Sequence, residues 1–335
     1  MRGLMEKKRD IFSPSKAFKP FEYPEAYEIW LEHEQMHWVS REVKLHEDVK
    51  DWKTKVTPSE QEFLNNIFLL FTQSDIDVAA GYVKDYLPFF EKPELRMMLL
   101  GFASREAVHI DAYSYLLETL GKPDSFYSGF NDIPVMKEKH KFFEKIIVQG
   151  NNKKLLPLKI AGISAFTEGM FLFSSFVMLL SFPRTGLMKG MGQIVSWSIL
   201  DEQKHVEGLM YIFKKIIQEN RGLWNNALKS EIYSTAEMMF ELESDFTDYV
   251  FAGKDEFRGL TRESLALYQK FIINKRLLQM GLKAIYKDAL DNPLPWVDEV
   301  VNSQSHGNFF ETRDLSYSKG TSQGDWGDIW GKVKV

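Results

Sequence analysis

Two Glu-x-x-His pairs, Glu106/His109 and Glu202/His205, interrupt long apolar stretches of this chain. On a helix the i, i+3 spacing sets a carboxylate and an imidazole one above the other, so both reach one cavity. Two further acids stand on equally apolar faces: Asp75 among Phe68, Phe71, Val78 and Tyr82, and Glu168 among Ala161, Ser164, Phe171 and Ser175. Asp77 points roughly opposite to Asp75, so the face selects Asp75. Buried carboxylates without partners are strongly unfavourable, and no Lys or Arg shares these faces. Bound cations are the simplest compensation, and an oxygen-rich set with two imidazoles suits iron or manganese. Asp75, Glu106, His109, Glu168, Glu202 and His205 are therefore the expected ligands of a dinuclear metal centre. Two Fe is the first assignment, with Mn/Fe or two Mn as the others.

Long helices must carry these residues. Apolar periodicity and Gly/Pro punctuation predict helices over roughly 24–38, 58–88, 93–121, 134–148, 156–181, 186–219, 223–251 and 262–290, with few strand signals. The expectation is an all-α bundle in which four helices each aim a ligand inward. This is the ligand plan of ferritin-like dimetal bundles, here with extra flanking helices. Residues 160–182 are long and apolar enough to cross a bilayer, yet Glu168 sits near their middle. A helix buried all round in a large core is the better account, and no membrane partner is expected. The organisation reads as a flexible N-terminal segment (1–20), the helical metal domain (21–300) and a mobile C-terminal tail (301–335). The tail carries Tyr317, Trp326, Ile329 and Trp330, apolar groups that suit a docking peptide.

Composition narrows the function classes. The 335 residues carry a net charge of −5 and include no Cys. Disulfides, thiolate zinc sites, iron–sulfur clusters and thiol nucleophiles are excluded. Lys and Arg are spread rather than striped, which argues against a nucleic-acid partner. The N-terminus lacks a signal-like apolar region, and a cytoplasmic location is expected. His33-Glu34-Gln35-Met36-His37 spells the H-E-x-x-H zinc-peptidase pattern, but in a short charged segment without the extended motif. A solvated helix face is the expectation there. Tyr113 lies one turn beyond His109 on the same face; periodicity alone makes it an ordinary core tyrosine, while a dinuclear site beside it offers the alternative of a phenol near the metals whose radical an apolar setting would protect.

With these residues in view, the chain resembles the small, radical-generating subunit of class I ribonucleotide reductase. The resemblance rests on SREAVHIDAY, FTEGMF, LDEQKH, FTQSD and NFFETRDLSY, from about residue 20 to the C-terminus. It implies a tyrosyl radical at Tyr113, formed after oxygen activation at the metals. Trp38 and Asp201 match a path for an electron and a proton, and Tyr317 matches the tail tyrosine that relays to the large subunit. It also implies a homodimer and docking of the tail on the catalytic large subunit. The alternative is a ligand-oxidising dimetal oxidase of the same fold, and a third reading is a ferritin-like iron store. One departure stands out: many family members place Arg before the Asp-Glu pair, where this chain has Leu200.

Overall fold

The structure, a computed structural model, describes residues 10–147 and 152–300, excluding the side chains of residues 73–75, 131, 143, 146 and 147. Tyr317 and the tail therefore lie outside the described residues, as does the side chain of Asp75. The architecture is all-α, with one minimal hairpin, β1 (Glu256–Phe257) paired to β2 (Leu260–Thr261).

The helices are α1 (Pro24–Gln35), α2 (His46–Thr54), α3 (Pro58–Gly81), α4 (Pro93–Thr119), α5 (Pro134–Ile147), α6 (Leu156–Ile160), α7 (Phe173–Arg184), α8 (Lys189–Glu219), α9 (Asn226–Phe251) and α10 (Arg262–Gln279). Local chemistry explains several ends. Thr57 and Glu60 close a capping box at the start of α3, with Pro58 in the first turn. After α4, Gly121 takes φ +77° and the Lys122 amide donates to Leu117 O, a Schellman stop at the expected place. Gly281 at φ +81° ends α10 in the same way, near ten residues short of the expected boundary at 290. α1 stops at Gln35 rather than 38, and α2 was not anticipated at all.

α2 has a clear task. Asp48 accepts hydrogen bonds from the Gly190 and Met191 amides, and Asp51 from the Met188 amide. A helix start carries unpaired N–H groups and partial positive charge, so these two carboxylates fix the origin of α8.

α6 and α7 are joined by a π-helical segment, Ala161–Leu172, into one continuous helix, Leu156–Arg184. Its apolar window is wholly buried, so it is a core helix and not a membrane span. Two carbonyls of the π segment take donors from side chains: Thr167 Oγ1 donates to Gly162 O, and Arg276 Nε of α10 to Gly169 O. α4 packs on α1, α3 and α8, while α8 also packs on α7 and the π segment. The crossing of α4 and α8 is close. A Cβ on Gly208 would lie 2.7 Å from the Phe102 ring, so glycine there lets the two Glu-x-x-His helices meet.

Candidate metal centre

α4 contributes Glu106 and His109, α8 contributes Glu202 and His205, and the π segment contributes Glu168; all five side chains are buried. Glu106, Glu168, Glu202 and His205 each offer one ligand atom within 4.8 Å of all the others. The two remaining carboxylates show how the cluster divides. Glu106 turns Oε1 to His205 Nδ1 at 2.9 Å and Oε2 to His109 Nδ1 at 3.3 Å. Glu202 likewise turns Oε2 to His205 Nδ1 and Oε1 to His109 Nδ1, both at 3.4 Å. Each carboxylate thus stands between two imidazoles and presents one oxygen to each, so either could be shared by two cations held there.

The donor set fits such cations. Apart from the ion-pair contacts just given, both oxygens of Glu106 and of Glu202, Oε2 of Glu168 and Nδ1 of His205 are buried without a hydrogen-bond partner. Native proteins rarely leave so many buried polar atoms unsatisfied in one place, and a metal pair would satisfy all of them.

The outward atoms are also engaged. His109 Nε2 lies 3.1 Å from Asp201 Oδ2, and the same oxygen accepts from Trp38 Nε1 at 2.8 Å. The Trp38 and His109 rings lie nearly parallel, their centroids 6.0 Å apart. Trp38 and Asp201, placed in sequence by resemblance alone, are thus both buried and joined to a ligand imidazole. Leu200 leaves the expected guanidinium missing from that helix. Arg105 of α4 supplies one instead, buried, with Nε 3.6 Å from Asp201 Oδ1.

Tyr113 is buried with its ring stacked on Phe71 at 4.6 Å, and Phe71 is stacked in turn on Phe176. This apolar sandwich keeps water from the phenol ring. Asp77, the rejected neighbour of Asp75, pairs instead with His140 Nδ1 at 2.9 Å in a partly exposed position.

Two residues at the site had no role assigned from sequence. Tyr82 is buried, and its hydroxyl donates to Glu168 Oε1 at 2.7 Å. His33 corrects the reading of the H-E-x-x-H segment as a solvated face. It is fully buried, 3.3 Å from His205 Nε2 and 3.7 Å from Asp201 Oδ1. Ala26, Ile29 and His33 line the inner face of α1 at i, i+3, i+7, the signal that would have found it. Glu34 and His37 are exposed and His37 lies past the helix end, so the zinc pattern has no geometry behind it.

Electrostatics show what the protein does without cations. Burial, reinforced by the charge of Glu202, pushes Glu168 up to about 8. Burial also opposes ionisation of Glu106, but its contacts with His109 and His205 prevail and hold it down at about 2. Burial disfavours a charged His205, yet Glu202 and Glu106 drive it up to about 10. His109 is likewise raised well above its ordinary value, against burial, by Asp201, Glu106 and Glu202. Protons on these groups stand in for the positive charge the carboxylates require. His33 behaves oppositely: burial, then the positive charges of His205 and Arg105, lower it to about 2.

The family described as ribonucleotide reductase, small chain, matches residues 15–293. The chain is 44% identical to a protein of Invertebrate iridescent virus 6 named probable ribonucleoside-diphosphate reductase small subunit, across 94% of this chain and 97% of that one. It is 28% identical to the ribonucleoside-diphosphate reductase subunit beta of Chlamydia pneumoniae, across 89% and 88% of the two chains. Its fold is similar to that of the ribonucleotide reductase R2 subunit from Clostridium botulinum, with TM-score 0.81 and 22% identity, covering 88% of this chain and 94% of that one.

Proposed function

Because the chain belongs to the ribonucleotide reductase small-chain family, a family of oxidoreductase subunits, we propose that it generates a tyrosyl radical at Tyr113 and passes its oxidising equivalent to a catalytic large subunit. The observation that carries this reading is the pair of buried carboxylates, Glu106 and Glu202, set between His109 and His205, with Asp201 on His109's outer nitrogen and Trp38 donating to Asp201. Asp75, Glu106, His109, Glu168, Glu202 and His205 would hold two cations. Iron or manganese bound there supplies, with an oxidant such as dioxygen, the one-electron oxidising power that a phenol requires.

The chain's own residues do the rest. Tyr113 gives up one electron and its phenolic proton, and the Phe71–Phe176 stack beside it excludes the water and reductants that would quench the radical. Asp201 accepts from Trp38 Nε1 through Oδ2 and holds His109 Nε2 with the same oxygen. That arrangement fixes the His109 tautomer and gives a continuous route for an electron and a proton between the site and the Trp38 indole. Tyr317 and the tail, outside the described residues, would complete the relay at the large subunit.

The absence of Cys bears directly on this division of labour. Ribose reduction draws on thiols, so a partner must supply them. We assign the chain to a homodimer that docks the large subunit through residues 301–335, in the cytoplasm, with ribonucleotides as the partner's substrates and deoxyribonucleotides as products. No feature of the site favours the oxidase or iron-store alternatives.

The test is electron paramagnetic resonance after loading with Fe(II) or Mn(II) and exposure to oxidant. Wild type is expected to show a phenoxyl signal that Tyr113→Phe lacks while still binding two metal ions per chain. An unchanged signal in the variant would sink the assignment of the radical to Tyr113.

A further inference from the structure

The two ligand imidazoles have different outer partners. Both present Nδ1 to the bridging carboxylates, so in the metal-bound neutral ring the remaining proton must sit on Nε2. His109 then donates to the carboxylate of Asp201. Among the described residues no carboxylate meets His205 Nε2, which instead faces His33 Nε2 at 3.3 Å; Asp201 Oδ1 lies 3.7 Å beyond, on the far side of that His33 nitrogen. Two facing nitrogens form a hydrogen bond only if one lacks a proton, so His33 is the acceptor and carries its own proton on Nδ1. That Nδ1 is buried and finds no hydrogen-bond partner among the described residues. Glu168 repeats the pattern on the same side, since its Oε1 is tied to the neutral hydroxyl of Tyr82 and Oε2 is left for a cation.

We infer that His33 is the positioning residue of His205, holding its ring with Nδ1 toward Glu106 and Glu202, and that a cation position backed by this imidazole rather than directly by a carboxylate is the weaker of the two. A carboxylate partner raises the basicity of a ligating imidazole, whereas a neutral imidazole acceptor does so much less. The pair Glu106 and Glu202 is shared between the positions and cannot set them apart. The difference comes from Asp201 behind one imidazole and His33 behind the other. Phe102, edge-on to the His33 ring at 5.1 Å, holds that ring in place.

This inference rests on the dimetal reading above, and the experiment separates the two. Metal-free full-length protein is titrated with Mn(II), following the free ion by electron paramagnetic resonance, with circular dichroism and thermal unfolding as checks of the fold. Wild type is expected to take up two ions in two resolved steps. His33→Ala weakens the second step by about 10–100-fold, the usual cost of losing an outer partner, and leaves the first within about twofold. His33→Gln, whose amide oxygen accepts the same N–H, restores most of the loss. His33→Glu tightens the second step and draws the two constants together. If wild type binds fewer than two ions, the dimetal reading fails and this inference with it. If wild type binds two and His33→Ala binds both as wild type does, only this inference is overturned. Equal weakening of both steps with a lower unfolding temperature also overturns it, in favour of a packing role.

Discussion

At the scale of single residues, the site is a set of carboxylates whose charge is balanced by protons until cations replace them. His205 is raised to about 10 and Glu168 to about 8, so both hold protons at neutral pH in the metal-free protein. An incoming cation must displace them. Loading with Mn(II) near pH 7 should therefore release more than one proton per chain, and apparent affinity should fall as pH falls. Calorimetric titration in buffers of differing ionisation enthalpy measures the count; proton-neutral uptake would contradict it. The sign for folding is opposite. The raised His205 stabilises the metal-free fold fully below its ordinary value of 6.5, and that contribution is lost as pH rises through about 10. Much of this constellation was legible in sequence, because ionisable residues on apolar helical faces are conspicuous. His33 was not, since α1 is short and strongly charged and only Ala26 and Ile29 mark its inner face. Arg105 was equally hidden: a guanidinium reaching Asp201 from α4 takes up a role that resemblance expected from position 200 on α8.

At the scale of elements, the site exists because α4 and α8 come within contact distance. Gly208 makes this possible, for any Cβ there meets Phe102 at 2.7 Å and Met98 Sδ at 2.9 Å. Gly208→Ala is expected to destabilise the metal-free protein by about 1–3 kcal/mol, the usual cost of overpacking a core, and to weaken metal uptake by spreading the ligands. Gly222→Ala, where an added Cβ meets nothing within 4 Å, is the control and should change stability by less than about 0.5 kcal/mol. Thermal unfolding with metal titration reads both, and equal behaviour of the two variants would show that the crossing is not set by Gly208. The helix that carries Glu168 shows where sequence periodicity stops helping. Its residues 161–172 are buried on every side, so no polar face reports the turn, and the switch to π-helical winding leaves no mark in composition. Glu168 was found because it is the one charge in that stretch, not because its face was correctly drawn. α2 escaped notice for a different reason: its value lies in Asp48 and Asp51 capping a helix well over a hundred residues later, a relation no local window contains.

At the scale of the whole molecule, the proposed function has the chain build an oxidant, and with no Cys it lacks the thiols to use it. The machinery that holds cations and phenol lies within residues 10–300, and the proposed docking segment is 301–335. Removing 301–335 should leave two metal ions per chain and the Tyr113 signal intact while abolishing nucleotide reduction with the large subunit. Retained turnover by the truncated protein would mean that docking is carried by the helical body. The N-terminal boundary is less simple than the division at residue 20 expects. Ile11 is buried and its amide donates to Glu219 at the end of α8, so part of that segment is fastened to the bundle.

One feature ties these scales together. His33 stands in the last turn of α1 and Trp38 three residues beyond its end, so the groups behind both ligand imidazoles sit on one short stretch of backbone. The other side of α1 is a row of exposed acids, with Glu32 paired to Lys204 beside His205 and Glu25 paired to Lys215 further along α8. The register of α1 against α8 is thus also the register of His33 against His205. A displacement of α1 along α8 would therefore move His33 against His205 and Trp38 against Asp201 together.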